Sequence, residues 1–431
     1  MRNRTNGKSG FLWGAATSSH QVEGNNALND WWEWESAGRF REQSGLACDH
    51  YRRFREDLEI ARKLGHTAHR FSLEWSRLEP REGRWDEDAW NHYKEVLLTL
   101  REFSIEPIVT LNHFTLPLWF SKRGGWLDHS SGMYFQRFAK KAAETLGEQV
   151  TYWITLNEPM VYAGCAYFFG KWPPGITDFK KTLTVIEHLI RAHTLSYRSL
   201  HRTTDLCFSK RRVRVGLAQS VYHFEPYDNR SVVDRFATTL RSYFFNHLFM
   251  VSSLTGSIIF PGFGLVRLPA KKTLDFIGIN YYTREYVKYA GLTQVNRLIG
   301  MINAHPKEGK QDVWRNSLGW EVYPEGLYKV IRSCSRYRLP ILVTENGICT
   351  GEDEKRSRFI KEHLEYLFKA ADEGAPIIGY LYWSLVDNFE WADGYSPRFG
   401  LVEINYETLE RKIRPSALFF SQYMRELLDS R

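Results

Sequence analysis

Two glutamates, Glu158 and Glu345, each follow a short apolar run directly, and each sits beside an asparagine, in Asn157-Glu158-Pro159 and Glu345-Asn346-Gly347. A carboxyl group at the end of an apolar run, outside any stretch of charges, suits proton transfer or nucleophilic attack better than solvation. Glycoside hydrolysis needs a pair of this kind: one carboxylic acid protonates the departing oxygen, and one carboxylate works on the opposite face of the sugar. A lone glutamate in such a place is more often a helix cap or an ion-pair partner. Here other polar and aromatic residues follow further apolar runs. They are His20-Gln21-Val22-Glu23, Arg70 with Glu74, Asn112-His113, Asn280-Tyr281-Tyr282, and Trp383 with Asp387, Glu390 and Trp391. That convergence shifts the reading to catalysis.

The elements that must position these residues recur along the chain. Eight mostly apolar runs cover residues 11–16, 67–72, 107–111, 152–156, 213–219, 274–280, 341–344 and 377–383. Most are apolar enough for strands covered on both faces, as in a parallel sheet. The second, with His69 and Arg70, is the least strand-like. Between them lie helical periods: Tyr51, Phe54, Leu58, Ala61 and Leu64, with Gly65 as a stop; Trp90, Tyr93, Leu97 and Leu100, with Asp86 as a cap; and Phe135, Phe138, Ala142 and Leu146, with Gly147 following. Similar periods run through Leu183–Tyr197, Leu327–Cys334 and Ile360–Ala371, the last stopped by Gly374. Eight strand–helix units predict an α/β fold of the (β/α)8 TIM barrel type, a single domain over residues 1–431, with chemistry at the carboxyl ends of the strands. A dinucleotide-binding sheet would need a glycine-rich first turn, and Trp13-Gly14-Ala15-Ala16-Thr17 offers one glycine. Residues 281–320 are too long for an ordinary connection and are expected to build the active-site face.

Composition narrows the class further. Apolar residues are 43% and charged residues 25% of the 431, ordinary values for a soluble globular protein. Aromatics reach 15%, which suits a large core and a cleft for sugar faces. The net charge of +8 is spread along the chain, and its densest run, Lys210-Arg211-Arg212, reads as a solvated turn before a strand, so nucleic acid is not an expected partner. Five cysteines, Cys48, Cys165, Cys207, Cys334 and Cys349, are scattered and odd in number, which indicates neither a disulfide framework nor a zinc site. Residues 1–10 lack an apolar targeting core and no stretch reaches membrane-span length, so a cytoplasmic location without membrane contact is expected. No metal is expected: His66 and His69 lack a third ligand. No cofactor is needed where two carboxylates supply the chemistry.

At these residues the chain resembles the β-glycosidases of glycoside hydrolase family 1. The resemblance rests on Phe11-Leu12-Trp13-Gly14-Ala15-Ala16-Thr17 with Gln21-Val22-Glu23-Gly24, on Thr155-Leu156-Asn157-Glu158-Pro159, on Val343-Thr344-Glu345-Asn346-Gly347, and on Trp383-Ser384-Leu385 with Asp387-Asn388-Phe389-Glu390-Trp391. It implies that Glu345 is the nucleophile and Glu158 the acid and later the base. It implies that Asn157 binds the 2-hydroxyl, that Gln21, His113 and Glu390 hold other glycone hydroxyls, that Trp391 adds an indole hydrogen bond, and that Trp383 supplies a stacking floor. Arg70 and Tyr282 would contact Glu345 and favour its ionised form, whose charge would raise the proton affinity of Glu158. Trp320 resembles the aglycone-side tryptophan; His20 stays open, and Glu23, Glu74 and Asp387 read as structural. The two carboxyl groups are expected about 5–5.5 Å apart, the retaining geometry. The resemblance implies an exo-acting enzyme of the β-glucosidase, β-galactosidase or β-fucosidase type, with β-linked disaccharides, short oligosaccharides and aryl or alkyl β-glycosides as expected substrates. Met160, Phe114-Thr115 and a short segment over residues 248–274 depart from the family pattern and bear on the leaving-group side. A 6-phospho-β-glycosidase is an alternative, although no phosphate clamp is identifiable. A silent sugar-binding protein on the same barrel is another, although both glutamates are present.

Overall fold

The computed structural model describes residues 10–208, 212–291, 301–304 and 313–430. Residues 1–9 and, within the basic run, Lys210 and Arg211 lie outside them. Eight parallel strands close into a barrel in sequential order. They are β1 (Leu12–Ala16), β2 (Ala68–Ser72), β3 (Glu106–Asn112), β4 (Tyr152–Asn157), β5 (Arg214–Ser220), β6 (Phe276–Asn280), β7 (Ile341–Asn346) and β8 (Ile377–Trp383). These coincide with the eight apolar runs to within a residue or two. The (β/α)8 architecture expected from the sequence is the one observed.

The barrel interior is filled, not open. Ala68, Ile108, Ile154, Ala218, Phe276, Leu342 and Leu381 form one inner cluster with Leu12 against it, so every strand contributes a side chain. Outside, amphipathic helices cover the barrel: α1 (His50–Lys63), α2 (Glu87–Glu102), α3 (Ser131–Leu146), α4 (Phe179–Cys207), α6 (Pro324–Ser335), α7 (Asp353–Asp372) and α8 (Pro415–Asp429), while α5 (Val232–Ser242) packs on the small sheet of His223–Pro226 and Arg284–Tyr289. Asp86 caps α2 by accepting from the Ala89 amide at 2.9 Å. Gly65 follows α1 with φ +77, the left-handed conformation that glycine adopts without a Cβ clash. Gly147 differs from that pattern: its φ of −58 is helical, so α3 ends without a left-handed turn. Most of the aromatic excess is core. Trp31, Trp75, Trp90, Trp126 and Trp153 are fully buried.

Irregularities concentrate where the site lies. The β4–β5 pairing shifts register between Ile154 and Asn157. The β6–β7 pairing shifts between Val343 and Glu345. Bulges bend a strand and re-aim its side chains, and here each precedes one of the two glutamates. The segment after β6 carries a strand, Arg284–Tyr289, which pairs with Met301–Ala304 and His223–Pro226, before the chain returns to Trp320. Residues 292–300 and 305–312 of this segment lie outside the described ones. The short stretch before β6 forms a hairpin, Ser257–Phe260 with Gly264–Arg267. Among the described residues no helix is long and apolar enough to cross a membrane.

Candidate active site

Arg70 organises the floor of the site. It projects from β2 inside the barrel and is 1% exposed. Its Nε donates to Thr110 Oγ1 of β3 at 3.0 Å. Its Nη2 donates to Asn157 Oδ1 of β4 at 2.6 Å, and its Nη1 to Glu345 Oε1 of β7 at 2.5 Å. One guanidinium thus ties four strands together, a use suited to its rigid fork of donors. Tyr282, just beyond β6, donates its hydroxyl to Glu345 Oε2 at 2.7 Å. Both oxygens of Glu345 are therefore held, each by a different donor.

Glu158 is held differently. It is the residue before the short helix Pro159–Ala163, where a glutamate could cap the helix, yet its side chain makes no cap bond. Its Oε1 instead accepts from Asn280 Nδ2 at 2.8 Å. Its backbone is left-handed, φ +44 and ψ +52. For a non-glycine residue that conformation costs about 1–2 kcal/mol. Proline in the first helical position and the amide bond from Glu158 to the Ala218 carbonyl at 2.7 Å fix it. The helix-cap reading of this glutamate is thereby excluded: the backbone spends conformational energy to turn the carboxyl into the cleft.

Asn157 and Asn280 join the two halves. Asn157 Oδ1 accepts from Arg70 and, at 3.1 Å, from Asn280 Nδ2. Its amide NH2 therefore points at His113 Nε2, 3.0 Å away, which must be the acceptor. Burial, with the charge of Arg70, holds His113 well below the ordinary histidine range, so its ring is neutral with the proton on Nδ1. Burial first, and then the charge of Glu345, push Glu158 up to about 8. Burial also raises Glu345, while Arg70 and the Tyr282 hydrogen bond pull it down. The pair is thus asymmetric: the stabilisers of negative charge converge on Glu345, and the proton belongs on Glu158.

A second polar group closes one end of the cleft. Gln21 Nε2 donates to Asn388 Oδ1 at 2.9 Å, to the Phe389 carbonyl at 2.8 Å and to Glu390 Oε2 at 3.3 Å. Trp383 Nε1 donates to Glu390 Oε1 at 3.2 Å. Burial pushes Glu390 up to about 8. Trp391, with φ +54, stands in an aromatic cage: His20 stacks on it at 5.6 Å and 17°, and Trp31 and Phe114 pack at 4.6 and 5.1 Å. His20 itself is structural. Asn29 Nδ2 donates to its Nδ1 at 3.0 Å, and its Nε2 bonds Glu35 at 2.9 Å.

The cleft, about 200 Å³, is lined by Gln21, His113, Asn157, Glu158, Tyr282, Trp320, Glu345, Trp383, Glu390 and Trp391. Every candidate site residue from the sequence except Arg70 lines it, and Arg70 lies directly beneath. Trp320 stands at the mouth, 39% exposed, with its ring 5.8 Å from Tyr282. Sequence reasoning missed Ser220 at the end of β5, Tyr222 just beyond it, Val161, Trp172, Leu318, Asp393 and Phe399, all of which also line the cleft. It also assigned nothing to Asn280, although that residue was in view at the end of β6. The acids read as structural have structural partners: Glu23 with Arg77, Asp387 with Arg414, and Glu74 with Ser19 and Ser76. Among the described residues no group of three His, Cys, Asp or Glu is placed to hold a metal.

A barrel with paired glutamates at the carboxyl ends of β4 and β7 and a polar, tryptophan-walled cleft between them defines the class, a (β/α)8 glycoside hydrolase. The sequence matches glycosyl hydrolase family 1 over residues 4–261 and 264–427. A β-glycosidase from Pyrococcus horikoshii has a similar solved structure, with a TM-score of 0.90 and 39% identity, covering 98% of this chain and 97% of that one. β-Glucosidase A of Thermotoga maritima is 31% identical, over 96% of this chain and 97% of its own length. A β-galactosidase of Pyrococcus woesei is 32% identical, over 93% of each chain. This chain belongs to glycosyl hydrolase family 1 and is a retaining β-glycosidase.

Proposed function

We propose that the chain is an exo-acting β-glucosidase or β-galactosidase in which Glu345 attacks the anomeric carbon and Glu158 protonates the departing oxygen. The observation that carries this assignment is the unequal holding of the two carboxylates. Glu345 Oε1 and Oε2 accept from Arg70 and Tyr282, while Glu158 is held by neutral partners alone, the Asn280 amide and the Ser220 hydroxyl, and is pushed up to about 8. Attack by Glu345 forms a covalent glycosyl-enzyme and consumes its charge. The electrostatic part of what keeps Glu158 protonated then disappears, so after giving its proton to the leaving group Glu158 is ready to take one from water. The second displacement releases Glu345 and the sugar with its original configuration.

The glycone is assigned to the cluster of Gln21, Glu390, Trp383 and Trp391, with His113 and Asn157 on the adjoining side. No Lys or Arg lines the cleft among the described residues. A phosphorylated sugar would need one, which favours an unmodified sugar. The names of the relatives, β-glucosidase and β-galactosidase, support glucosides and galactosides as the substrate classes. We also propose that the whole chain forms one catalytic domain, that it works in the cytoplasm, consistent with its unpaired cysteines, and that it needs no cofactor.

A panel of nitrophenyl α- and β-glycosides, with product anomers followed by NMR, tests the reading. Turnover of β-glycosides with the β-anomer formed first is expected. Glu345→Gln should abolish turnover with the fold intact; substantial remaining activity would remove Glu345 from the nucleophile's role.

A further inference from the structure

One residue of β7 has no partner in the β6–β7 ladder. Val343 pairs with Ile279 and Glu345 with Asn280, so Thr344 is the extra residue where the register shifts. A bulged residue is released from the regular alternation, and its side chain can be aimed where a flat strand would not send it. Thr344 is fully buried, and its Oγ1 donates to Asn280 Oδ1 at 2.6 Å. Its methyl group lies against Gly278 of β6. A Cβ built on that glycine would meet Thr344 Cγ2 at 3.0 Å and the Leu217 carbonyl oxygen at 2.5 Å. Glycine there leaves the space that the bulged side chain fills.

The orientation of the Asn280 amide follows from which neighbours donate and which accept. A guanidinium can only donate. Arg70 Nη2 therefore turns Asn157 Oδ1 toward itself, and that oxygen accepts a second hydrogen bond from Asn280 Nδ2 at 3.1 Å. The other hydrogen of the same Nδ2 goes to Glu158 Oε1 at 2.8 Å. A reversed amide would set its oxygen against two acceptors, Asn157 Oδ1 and Glu158 Oε1. Asn280 Oδ1 is thus turned the other way, fully buried, and the Thr344 hydroxyl supplies its donor. Without that donor the carbonyl oxygen would be buried unpaired, a cost the amide could relieve only by moving off its partners.

We propose that Thr344 is a positioning residue for the acid: its hydroxyl locks the Asn280 amide with Nδ2 toward Glu158, and so sets how tightly Glu158 keeps its proton without touching it. The proposal rests on the reading of Glu158 as the proton donor. The strand that carries the nucleophile thereby also holds its partner, from the residue directly before Glu345. Other groups face Glu158: Glu345 and Arg70 at the floor, Ser220 at the end of β5, Tyr222 just beyond it, Tyr282 beyond β6, and Cys165 after the short helix Pro159–Ala163. Burial and Glu345 raise its proton affinity, and the Asn280 amide, Arg70 and Ser220 lower it. Arg70 reaches Thr344 at the backbone carbonyl, 3.4 Å from Nη1, which side-chain substitutions leave in place. Weakening the Asn280 bond disfavours the carboxylate, so Glu158 should hold its proton to higher pH.

The test is the pH profile of kcat/KM for an aryl β-glucoside. Asn280→Ala removes the donor, and the alkaline limb should move up by about 1–2 pH units, the size of one hydrogen bond to a charged acceptor. Thr344→Val replaces the hydroxyl with a methyl group, and Thr344→Ala leaves its space open. Each should move the limb up by about 0.5–1 unit, whereas Thr344→Ser, which keeps the hydroxyl, should leave it in place. The acid limb should move less, because Arg70 and Tyr282 hold Glu345 more strongly than Asn280 does. Thr344→Val combined with Asn280→Ala should show the shift of Asn280→Ala alone, since the two residues act in series. An alkaline limb unmoved in Thr344→Val and Thr344→Ala, or moved as far in Thr344→Ser, overturns the role of Thr344. The limb itself should vanish in Glu158→Gln; if it persists there, the assignment of Glu158 as the acid falls instead.

Discussion

Replacing Tyr282 with phenylalanine removes a single hydroxyl that donates to Glu345 Oε2 at 2.7 Å. Burial and the charge of Glu345 hold the Tyr282 phenol well above its ordinary range, so in the wild type it stays a donor wherever the enzyme works. A hydrogen bond to a charged group contributes about 1.5–3 kcal/mol, and one pKa unit corresponds to about 1.4 kcal/mol. Losing the bond should therefore raise the proton affinity of Glu345 by that energy, which corresponds to about 1–2 pH units in a titration limb. The rate at low pH requires ionised Glu345, so the acid limb of kcat/KM should move to higher pH by that amount. The alkaline limb reports the proton on Glu158, held near 8 by burial and by a charged Glu345. It should stay in place, and the pH profile should narrow from the acid side alone. The assay is kcat/KM for an aryl β-glucoside across pH. An acid limb that does not move while the rate falls would mean that Tyr282 packs against the site without tuning Glu345.

Glu158→Gln should lower kcat/KM about 10²–10⁴-fold for an alkyl glucoside and far less for a dinitrophenyl glucoside, whose leaving group needs no proton; an equal fall in kcat/KM for both would contradict the acid role. Arg70→Met leaves the charge of Glu345 buried without its ion-pair partner, and urea unfolding should show a loss of about 3–5 kcal/mol; an unchanged midpoint would contradict the account of the floor. Glu390 is pushed up to about 8 from an ordinary value of 4.5, so the stability it allows is complete below 4.5 and declines as pH rises toward 8. Glu390→Gln should therefore raise Tm relative to wild type at pH 8 and lose that advantage at pH 5, as differential scanning calorimetry can show.

The barrel was legible because its strands are covered on both faces and so read as apolar runs whose spacing leaves room for helices. The least strand-like run, residues 67–72, holds Arg70, whose charge belongs inside the barrel only because Thr110, Asn157 and Glu345 surround it. Those partners lie on other strands, and no local pattern announces them. Glu158 and Glu345 stood out for the same reason that Asn280 did not. A strand-end carboxylate is costly and asks for an explanation, whereas a strand-end asparagine is commonplace until its amide is found shared between Asn157 and Glu158. Residues supplied by loops, such as Trp172, Leu318 and Phe399, reach the cleft through tertiary packing that sequence spacing does not encode.

The central claim is that Glu345 forms a covalent bond to the sugar. A 2-deoxy-2-fluoro-β-glucoside with a dinitrophenyl leaving group slows both displacements, and its good leaving group lets the first outrun the second. Peptide mass spectrometry of the inactivated chain should find one fluoroglycosyl group per chain, on the peptide that carries Glu345. An adduct on another carboxylate, or turnover of ordinary β-glucosides with the α-anomer formed first, would contradict it.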